Sequence, residues 1–256
     1  MDAPDLRRAL DFSGRCVLVT GGTKGLGRAI AQRFAEAGAD VVVCGRHAPE
    51  TDAVGDFVAA DVRDGDSVAA LFHTIAERHG RLDALVNNAG GSPPADTATA
   101  SAKFSNAIIG LNLVAPLQCA QAAFAQMREQ PDGGSIVNIA SVSGIRPSPN
   151  SAAYGAAKAG LINLTQTLAV EFAPSVRVNT LTAGLIVTEQ SHLFYGDDAG
   201  IAAVGRTVPL GHMAEPHEIA DVALFLASPL ARYVSGANIV VHGGGELPAY
   251  MNASNA

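Results

Sequence analysis

The chain has 256 residues, of which 48% are hydrophobic and 16% charged, and its formal net charge at pH 7 is −7. This composition excludes a disordered or fibrous protein, and the acidic balance, with no basic stripe, argues against a nucleic-acid partner. The length allows one large α/β domain with a substantial core or two small domains.

Short apolar runs alternate with longer amphipathic segments along the chain. The runs typical of buried strands are 16–20, 40–45, 57–62, 82–90, 135–141, 176–184 and 238–244. The segments with helical spacing are 25–37, 66–79, about 104–129, 152–173 and about 216–227. Strands and helices that alternate in this way form a parallel sheet covered by helices on both faces. We therefore predict an α/β fold with one doubly wound parallel sheet of about seven strands, in a single domain over 1–256.

A glycine-rich turn follows the first predicted strand and opens the first amphipathic helix. Glycines here let the backbone turn tightly and approach a pyrophosphate, whose charge is favoured at a helix N-terminus. An ordinary glycine-rich turn is the alternative, but the position inside a β-turn-α unit favours a dinucleotide site. The residues that we expect to bind the dinucleotide are Gly21, Thr23, Lys24, Gly25, Leu26 and Gly27.

The spacing of this turn, together with four later motifs, resembles the short-chain dehydrogenase/reductase family from about residue 14 to 245. The later motifs are Asn87-Asn88-Ala89-Gly90, Asn112, Ser141, and Tyr154 followed four residues later by Lys158. Each motif alone is weak, whereas five in order at the family's spacing are hard to explain by chance. The resemblance implies a Rossmann-type, NAD(P)-dependent oxidoreductase that interconverts a ketone and a secondary alcohol. It also implies that Asn88, Ala89 and Gly90 line the cofactor site.

The catalytic chemistry can be argued from the residues themselves. Tyr154 and Lys158 are four residues apart, so they share one face of a helix. A tyrosine with its ordinary pKa near 10 is a poor base, but a nearby ammonium and an oxidised nicotinamide lower that pKa. We therefore expect Tyr154 to act as general acid or base and Ser141 to hydrogen-bond the substrate oxygen. The resemblance adds that Lys158 binds the nicotinamide ribose and that Asn112 holds a water for proton relay.

The end of the second strand indicates the choice of cofactor. An NAD-dependent enzyme usually has an acidic residue there, but residues 44–47 read CGRH. Arg46, helped by Lys24, can hold a 2′-phosphate by charge-assisted hydrogen bonds, although a solvated arginine is the alternative. We therefore predict NADP(H), with NAD as second choice. By resemblance, Asp61 and Val62 should meet the adenine ring.

The loop after the sixth strand departs from the family pattern at one position. Ala183 stands where the family often has proline, which removes a fixed φ but leaves the following residues in place. By resemblance, Gly184, Ile186 and Thr188 should still bind the nicotinamide end of the cofactor. Gly184, Ile186 and Thr188 therefore match the family pattern, and the missing proline should affect only the stiffness of the loop.

Residues 189–215 form a long segment without regular pattern, which predicts a lid over the substrate. The side chains that suggest an apolar lining are His192, Leu193, Phe194, Tyr195 and Met213. Our hypothesis is accordingly a medium-sized apolar ketone or secondary alcohol as substrate.

The three cysteines, Cys16, Cys44 and Cys119, are far apart and show no metal-binding spacing. We expect no metal site and no disulfide framework, and hence a reducing compartment, with the cytoplasm as the default location. The first residues include two arginines but no apolar run, so a signal peptide is not expected. No stretch approaches the roughly 18 to 20 uninterrupted apolar residues of a membrane span, so no membrane partner is expected.

The predicted helices 104–129 and 152–173 carry apolar residues on more than one face, which predicts a partner. Since relatives in the family pair these two helices and the last strand across two-fold axes, we expect a homotetramer. Two other functions remain open. A non-catalytic nucleotide-binding scaffold is opposed by the presence of both Tyr154 and Lys158. A sugar-nucleotide epimerase or dehydratase usually has a sizeable C-terminal domain, and only about 70 residues follow Gly184.

Overall fold

Seven strands form one parallel sheet in the computed structural model, which describes residues 5–49, 53–249 and 251. The predicted domain 1–256 therefore includes stretches that lie outside the described residues, namely 1–4, 50–52, 250 and 252–256. The strands are β1 (Cys16–Thr20), β2 (Asp40–Gly45), β3 (Asp56–Ala59), β4 (Ala84–Asn87), β5 (Gly134–Ser141), β6 (Val176–Ala183) and β7 (Asn238–Val241).

Helices connect these strands and cover both faces of the sheet. They are α1 (Leu6–Ala9), α2 (Gly25–Glu36), α3 (Gly65–His79), α4 (Ala102–Ile109), α5 (Ala115–Met127), α6 (Ala152–Glu171), α7 (Ser191–Tyr195), α8 (Asp198–Gly205) and α9 (Pro216–Ala227). Helices α3, α5 and α6 contribute to the core on one face, and α2 and α9 to the core on the other.

The strand order β3-β2-β1-β4-β5-β6-β7 places the functional crevice. After β1 the chain runs outward through β2 and β3, and then crosses back to continue from β4 on the other side. Leu18 of β1 accordingly lies opposite both Val42 of β2 and Leu85 of β4. Connections that leave in opposite directions open a crevice at the carboxyl ends of β1 and β4, which is where ligands bind in open α/β sheets.

Burial of both faces explains why the strands read as continuous apolar runs. Val17, Leu18 and Val19 are all fully buried, and successive side chains point to opposite faces. Leu18 packs in the core layer with α3, α5 and α6, whereas Val17 and Val19 pack in the layer with α2 and α9. The predicted α/β sheet is thus confirmed, including its approximate strand number.

Several predicted elements differ from the structure in extent. Strand β4 covers only Ala84–Asn87 of the run 82–90, and β7 covers only Asn238–Val241 of the run 238–244. Strand β3 ends at Ala59 rather than continuing to residue 62, because its only ladder neighbour, β2, ends opposite it at Gly45. The predicted helix 104–129 is continuous from residue 102 to 127 but changes to a π-helical turn over Gly110–Val114. There the buried Asn112 side chain donates to the Ile108 carbonyl, four residues back, at 2.9 Å. In a regular α-helix the Ile108 carbonyl would accept the backbone N–H of Asn112, and here it accepts the Asn112 side-chain amide.

By length and composition alone, the continuous helix from Ala102 to Met127 could also cross a membrane. Its inward side packs against the sheet, with Cys119, Ala120 and Ala123 fully buried. A core helix of a soluble protein passes the same composition test, so this helix does not indicate a membrane protein. Only 39% of the most apolar 18-residue stretch of this helix is buried, so the helix also presents an outward apolar surface.

Candidate active site

The glycine-rich turn after β1 is shaped by close backbone approach. Gly21 has φ +64°, in the left-handed region that favours glycine. A Cβ at Gly27 would lie 2.2 Å from the Gly21 carbonyl oxygen and 2.4 Å from the Asn88 side-chain nitrogen. A larger residue therefore cannot stand at Gly27 without moving the backbone of the turn, which explains the glycine spacing read from the sequence.

Thr20, the last residue of β1, ties this turn to the end of β4. Its hydroxyl donates to the Val86 carbonyl at 3.4 Å and accepts the backbone N–H groups of Asn88 and Ala89 at 3.0 Å each. The Asn88 side chain returns the contact by donating to the carbonyls of Thr20 and Gly21 at 2.9 and 3.2 Å. Residues predicted to line the cofactor site from two distant motifs are therefore held together by direct hydrogen bonds.

The N-terminus of α2 already favours a negative group in this structure. Lys24, the cap residue, makes no side-chain cap hydrogen bond. The backbone N–H of Gly25 donates instead to the Glu189 carboxylate at 3.4 Å, across 164 residues of chain. An anion at a helix N-terminus is stabilised by unpaired N–H groups and the helix dipole. The same environment suits a pyrophosphate, so the residues of the turn fit the group expected there.

The end of β2 brings Arg46 beside the glycine-rich turn. A Cβ at Gly45 would lie 3.6 Å from the Thr23 methyl group, so the turn and the strand end are in contact. Lys24 and Arg46 are both exposed. Arg46 also lies near enough to Asp61 to help lower the pKa of that carboxyl. Thr23, Lys24, Arg46 and Asp61 therefore share one region, as the sequence predicted.

Asp61 has a partner that sequence reasoning missed. The Arg63 guanidinium donates to both carboxylate oxygens, at 2.9 Å from Nε and 2.5 Å from Nη2. This hydrogen-bonded pair lowers the pKa of Asp61 to about 2, so the carboxylate is charged at neutral pH. The neighbouring Val62 is buried in the core, so only its main chain can face a ligand.

Ser141 and Tyr154 meet at the end of β5. A hydrogen bond from Ser141 favours the Tyr154 phenolate, but burial outweighs it and raises the pKa of Tyr154 above its ordinary value. The ring centroid lies 5.6 Å from the Lys158 Nζ. Desolvation of the phenolate therefore dominates within the chain, and the expected lowering of the Tyr154 pKa by Lys158 and an oxidised nicotinamide stays a prediction.

Lys158 is a deeply buried charged residue of the candidate active site. Its side chain is 4% exposed, and desolvation lowers its pKa to about 8. Its Nζ donates to the Ile139 carbonyl at 2.7 Å. A Cβ at Gly90 would lie 3.2 Å from this Nζ and 2.7 Å from the Asn112 Oδ1, so glycine leaves room for both polar groups.

Asn112 reaches the same place from the π-helical turn. Its side chain exchanges two hydrogen bonds with the backbone of Gly91, each 2.9 Å long. Together with the bond to Ile108, these contacts fix the side-chain amide in one orientation. The structure thus brings together Asn112, Ser141, Tyr154 and Lys158, which lie far apart in the sequence.

Close packing and hydrogen bonds hold the loop after β6, in which Ala183 precedes Gly184. A Cβ at Gly184 would lie 2.7 Å from the His242 Cα, so glycine is required where β6 and β7 end side by side. Ile186 forms a bridge with Ala214, and the Thr188 N–H donates to the Ser191 hydroxyl at 2.8 Å. These bonds hold the loop directly before the predicted lid.

The predicted lid contains two short helices, α7 and α8, rather than an irregular segment. Its predicted apolar lining is not borne out. Leu193 is 79% and Phe194 54% exposed, whereas Met213 is buried in the interior. A cleft that does touch Tyr154 is lined by residues from the loop before α4 and the start of α6. Its lining, polar and apolar together, is Ser92, Ala95, Thr97, Ala100, Phe104, Ser105, Asn150, Ser151, Ala152, Ala153 and Tyr154.

The sequence reading omitted two residues of this region, Thr20 and Arg63. The available signal for Thr20 was a hydroxyl on the last residue of a strand that borders the crevice. Nothing in the sequence marked Arg63, because a surface arginine two residues from an aspartate is common. Within the described ranges, no group of three or more His, Cys, Asp or Glu side chains is arranged to hold a metal ion.

Comparisons with known proteins show which family the fold and the sequence resemble. Residues 21–246 match the protein family described as Enoyl-(Acyl carrier protein) reductase. The chain is 37% identical to short chain dehydrogenase/reductase astE of Aspergillus oryzae, over 91% of this chain and 95% of that protein. It is 34% identical to 3beta-hydroxysteroid dehydrogenase 1 of Eggerthella lenta, over 91% and 94%. The ligand-free structure of aldohexose dehydrogenase from Thermoplasma acidophilum superimposes with a TM-score of 0.87 at 32% identity, over 91% and 94%.

Proposed function

The chain belongs to the short-chain dehydrogenase/reductase family, and on that premise we propose that it interconverts a ketone and a secondary alcohol using NADP(H). One observation carries the proposal: Ser141, Tyr154, Lys158 and Asn112 gather beside the glycine-lined crevice. Relatives named as dehydrogenases support an oxidoreductase that acts on alcohol and carbonyl groups.

The cofactor, when bound, supplies or accepts a hydride. The chain's part is to hold it, and the residues of the crevice fit that task. Gly21 and Gly27 leave room for close backbone approach, and the α2 N-terminus favours the pyrophosphate charge. Gly90, Gly184, Ile186 and Thr188 are the residues that we propose for the nicotinamide end.

Preference for NADP(H) is proposed from the charges near β2. The strand ends without an acidic side chain, and the exposed Arg46 and Lys24 can both reach a phosphate at this place. Arg63 adds a third cation, although Asp61 already neutralises it. The local balance of charge is therefore positive and favours the 2′-phosphate of NADP(H) over the 2′-hydroxyl of NAD, which is the second choice.

Tyr154 is proposed to move the proton of the reacting oxygen. A raised pKa keeps the phenol protonated at neutral pH, as a proton donor to a carbonyl oxygen requires. In the direction of alcohol oxidation, the positive charges of Lys158 and of the nicotinamide would favour the phenolate. Ser141 would donate a hydrogen bond to the same oxygen as charge develops there, and Asn112 is proposed to hold a relay water near Lys158.

The substrate is proposed as a medium-sized ketone or secondary alcohol. One relative is named for a hydroxysteroid and another for an aldohexose, so the relatives set only wide bounds on the size and polarity of the substrate. The cleft beside Tyr154 presents hydroxyl and amide groups as well as Phe104. The substrate should therefore carry polar groups as well as the apolar part expected from the sequence, and we propose that the segment 189–215 closes over it as a lid.

Self-association is also part of the proposal. Val114 at the π-helical turn is 43% exposed and Val170 on α6 is 78% exposed, so both long helices present apolar groups to solvent. Such surfaces on a folded chain commonly meet a partner. A homotetramer with two-fold axes would cover them.

A screen of ketones and secondary alcohols with NADP(H) and NAD(H) tests the function. Formation or loss of reduced nicotinamide, followed by its absorbance, should appear with medium-sized substrates and be faster with NADP(H). Turnover of small charged substrates alone would contradict the substrate class. Tight cofactor binding without any turnover would contradict the enzymatic function itself.

A further inference from the structure

Hydrophobic burial alone does not set the position of α6, the helix that carries Tyr154 and Lys158. Its sequence is dominated by alanine and leucine, with apolar residues on several sides. Apolar burial is non-directional, so a helix of this kind gains little from one particular rotation or axial setting. Buried polar groups that need specific partners provide such a setting.

Thr165 and Lys158 are the buried polar residues of α6. Thr165 is 1% exposed, and its hydroxyl makes three hydrogen bonds. It donates to the Leu161 carbonyl at 2.9 Å, and accepts from the Asn138 side chain of β5 at 2.9 Å and from the Thr180 hydroxyl of β6 at 2.7 Å. A hydroxyl has one proton and two lone pairs, so Thr165 is fully satisfied.

Asn138 continues this chain of bonds towards β4. Its side-chain oxygen accepts from the Asn87 side chain at 2.9 Å, and Asn87 also donates to the Pro116 carbonyl of α5 at 3.1 Å. Asn87, Asn138, Thr165 and Thr180 are each at most 3% exposed. One buried hydrogen-bond network therefore joins three neighbouring strands to α6 and α5.

Two of the strands that the network joins, β4 and β5, carry part of the candidate active site beyond it. Asn87 directly precedes Asn88 of the cofactor crevice, and Asn138 precedes Ser141 by three residues. Thr165 lies two helical turns after Lys158, on the same face. Lys158 itself donates to the carbonyl of Ile139, next to Asn138. Helix α6 is thus pinned to β5 at two points on one face.

We propose that Thr165 and Asn138 are positioning residues that set α6 in the one register where Lys158 and Tyr154 face Ser141. This inference rests on the proposed function for its catalytic consequence, but the placement of Lys158 can be measured without any substrate. If the Thr165 hydroxyl is removed, the Asn138 amide and the Thr180 hydroxyl lose their acceptor. Because buried polar groups are costly to leave unpaired, α6 should then shift or loosen.

Three variants separate positioning from stability. Thr165→Val keeps the shape but removes the hydroxyl, and Thr165→Ser restores the hydroxyl. Ser135→Ala is the matched control: Ser135 is a buried hydroxyl of β5 that bonds the Leu226 carbonyl at the opposite end of the strand. If Thr165→Val does not fold, Thr180→Val replaces it; that change removes one of the three hydrogen bonds of the Thr165 hydroxyl, so it should raise the Lys158 acetylation rate by a smaller factor, and no increase would overturn the proposal.

Acetylation by acetic anhydride reports the placement of Lys158 directly. The chain contains only three lysines, and the exposed Lys24 and Lys103 serve as references in the same mass spectrum. We expect Thr165→Val to raise the Lys158 rate, relative to these references, at least about threefold. Thr165→Ser and Ser135→Ala should leave it unchanged. Equal acceleration in Thr165→Val and Ser135→Ala, or no acceleration in Thr165→Val, would overturn the proposal.

Kinetics supply the second readout. With a substrate from the screen, Thr165→Val should lower kcat about tenfold to a hundredfold, because small misplacements of reacting groups are costly. The KM for NADP(H) should rise as well, because the displaced Lys158 is expected to bind the nicotinamide ribose, and Thr165→Ser should recover most of the activity. An unchanged kcat in folded Thr165→Val would contradict the inference. If the unmodified protein turns over no substrate, the proposed function fails, and the acetylation rates still decide the positioning role.

Discussion

The Lys158 ammonium donates a hydrogen bond to the Ile139 carbonyl at 2.7 Å, two residues before Ser141 on the same strand. This contact ties the helix of the candidate base to the strand that ends in the candidate oxyanion donor. It also gives a buried charge one partner, although desolvation still lowers the Lys158 pKa to about 8. Since that value lies above neutral pH, Lys158 remains mostly protonated where the enzyme is expected to work.

Tyr154→Phe should lower turnover by several orders of magnitude while NADP(H) still binds, because only the proton-transferring hydroxyl is lost. Lys158→Ala should damage both turnover and nicotinamide binding. Initial rates on the best substrate of the screen, with fluorescence titration of NADPH, measure the two effects. A Tyr154→Phe enzyme that retains most of its activity would show that another group moves the proton.

Lys158→Met should stabilise the fold, and the gain should shrink as the pH rises. The folded pKa of Lys158 is about 8 against an ordinary 10.5, so the unfolded chain binds more protons between these values. The free energy of unfolding of the unmodified protein therefore rises with pH in this window. The difference between the two proteins should fall by up to about 3 kcal/mol from neutral to strongly alkaline pH. Urea unfolding across the window measures it, and a constant difference would contradict the lowered pKa.

Arg46→Ala should weaken NADPH binding about tenfold to a hundredfold, since a charge-assisted hydrogen bond contributes roughly 1.5 to 3 kcal/mol. NADH binding should be nearly unaffected. Arg128→Ala is the control for overall charge, because Arg128 ends α5 shortly before β5, towards the amino ends of the strands and away from the cofactor crevice. Fluorescence titrations with both nucleotides decide the matter, and tighter binding of NADH to the unmodified protein would refute the NADP(H) preference.

Gly27→Ala should abolish cofactor binding and destabilise the fold by about 1 to 3 kcal/mol, as overpacking does. The new Cβ would lie 2.2 Å from the Gly21 carbonyl oxygen, so the backbone of the turn has to move. Gly65→Ala is the matched control at the start of α3, where no atom lies within 4 Å of the added Cβ. It should leave binding unchanged and stability equal or slightly higher. Normal NADPH affinity in Gly27→Ala would argue against the crevice as the cofactor site.

Light scattering coupled to size exclusion should give roughly four times the chain mass of 26.1 kDa. Val170→Glu places a charge on an apolar side chain of α6 that is 78% exposed, and it should lower this mass by splitting the assembly. An unmodified protein that elutes with the mass of one chain at micromolar concentration would end the tetramer prediction.

Much of the architecture and of the candidate site follows from the amino-acid sequence by itself. Parallel strands covered on both faces must be apolar along their whole length, so the runs at 16–20 and 40–45 marked β1 and β2 with the correct bounds. The glycines of the turn, and the four-residue spacing of Tyr154 and Lys158, are local patterns with local physical causes. Their order and spacing resemble those of a known family, and that resemblance predicted which residues would gather.

Tertiary structure alone decided how these residues affect one another. The Thr20 hydroxyl accepts the Asn88 N–H, and the Asn138 side chain donates to the Thr165 hydroxyl. These pairs meet only because the strand order and the packing of α6 place them side by side. The direction of the Tyr154 pKa depends on how completely the surrounding layers exclude water, which no spacing reveals. The apolar side chain of Leu193 likewise suggested a pocket lining, but Leu193 lies exposed on α7. Sequence patterns report the conformation of neighbouring residues, whereas burial and hydrogen-bond partners depend on distant segments that meet only in the folded chain.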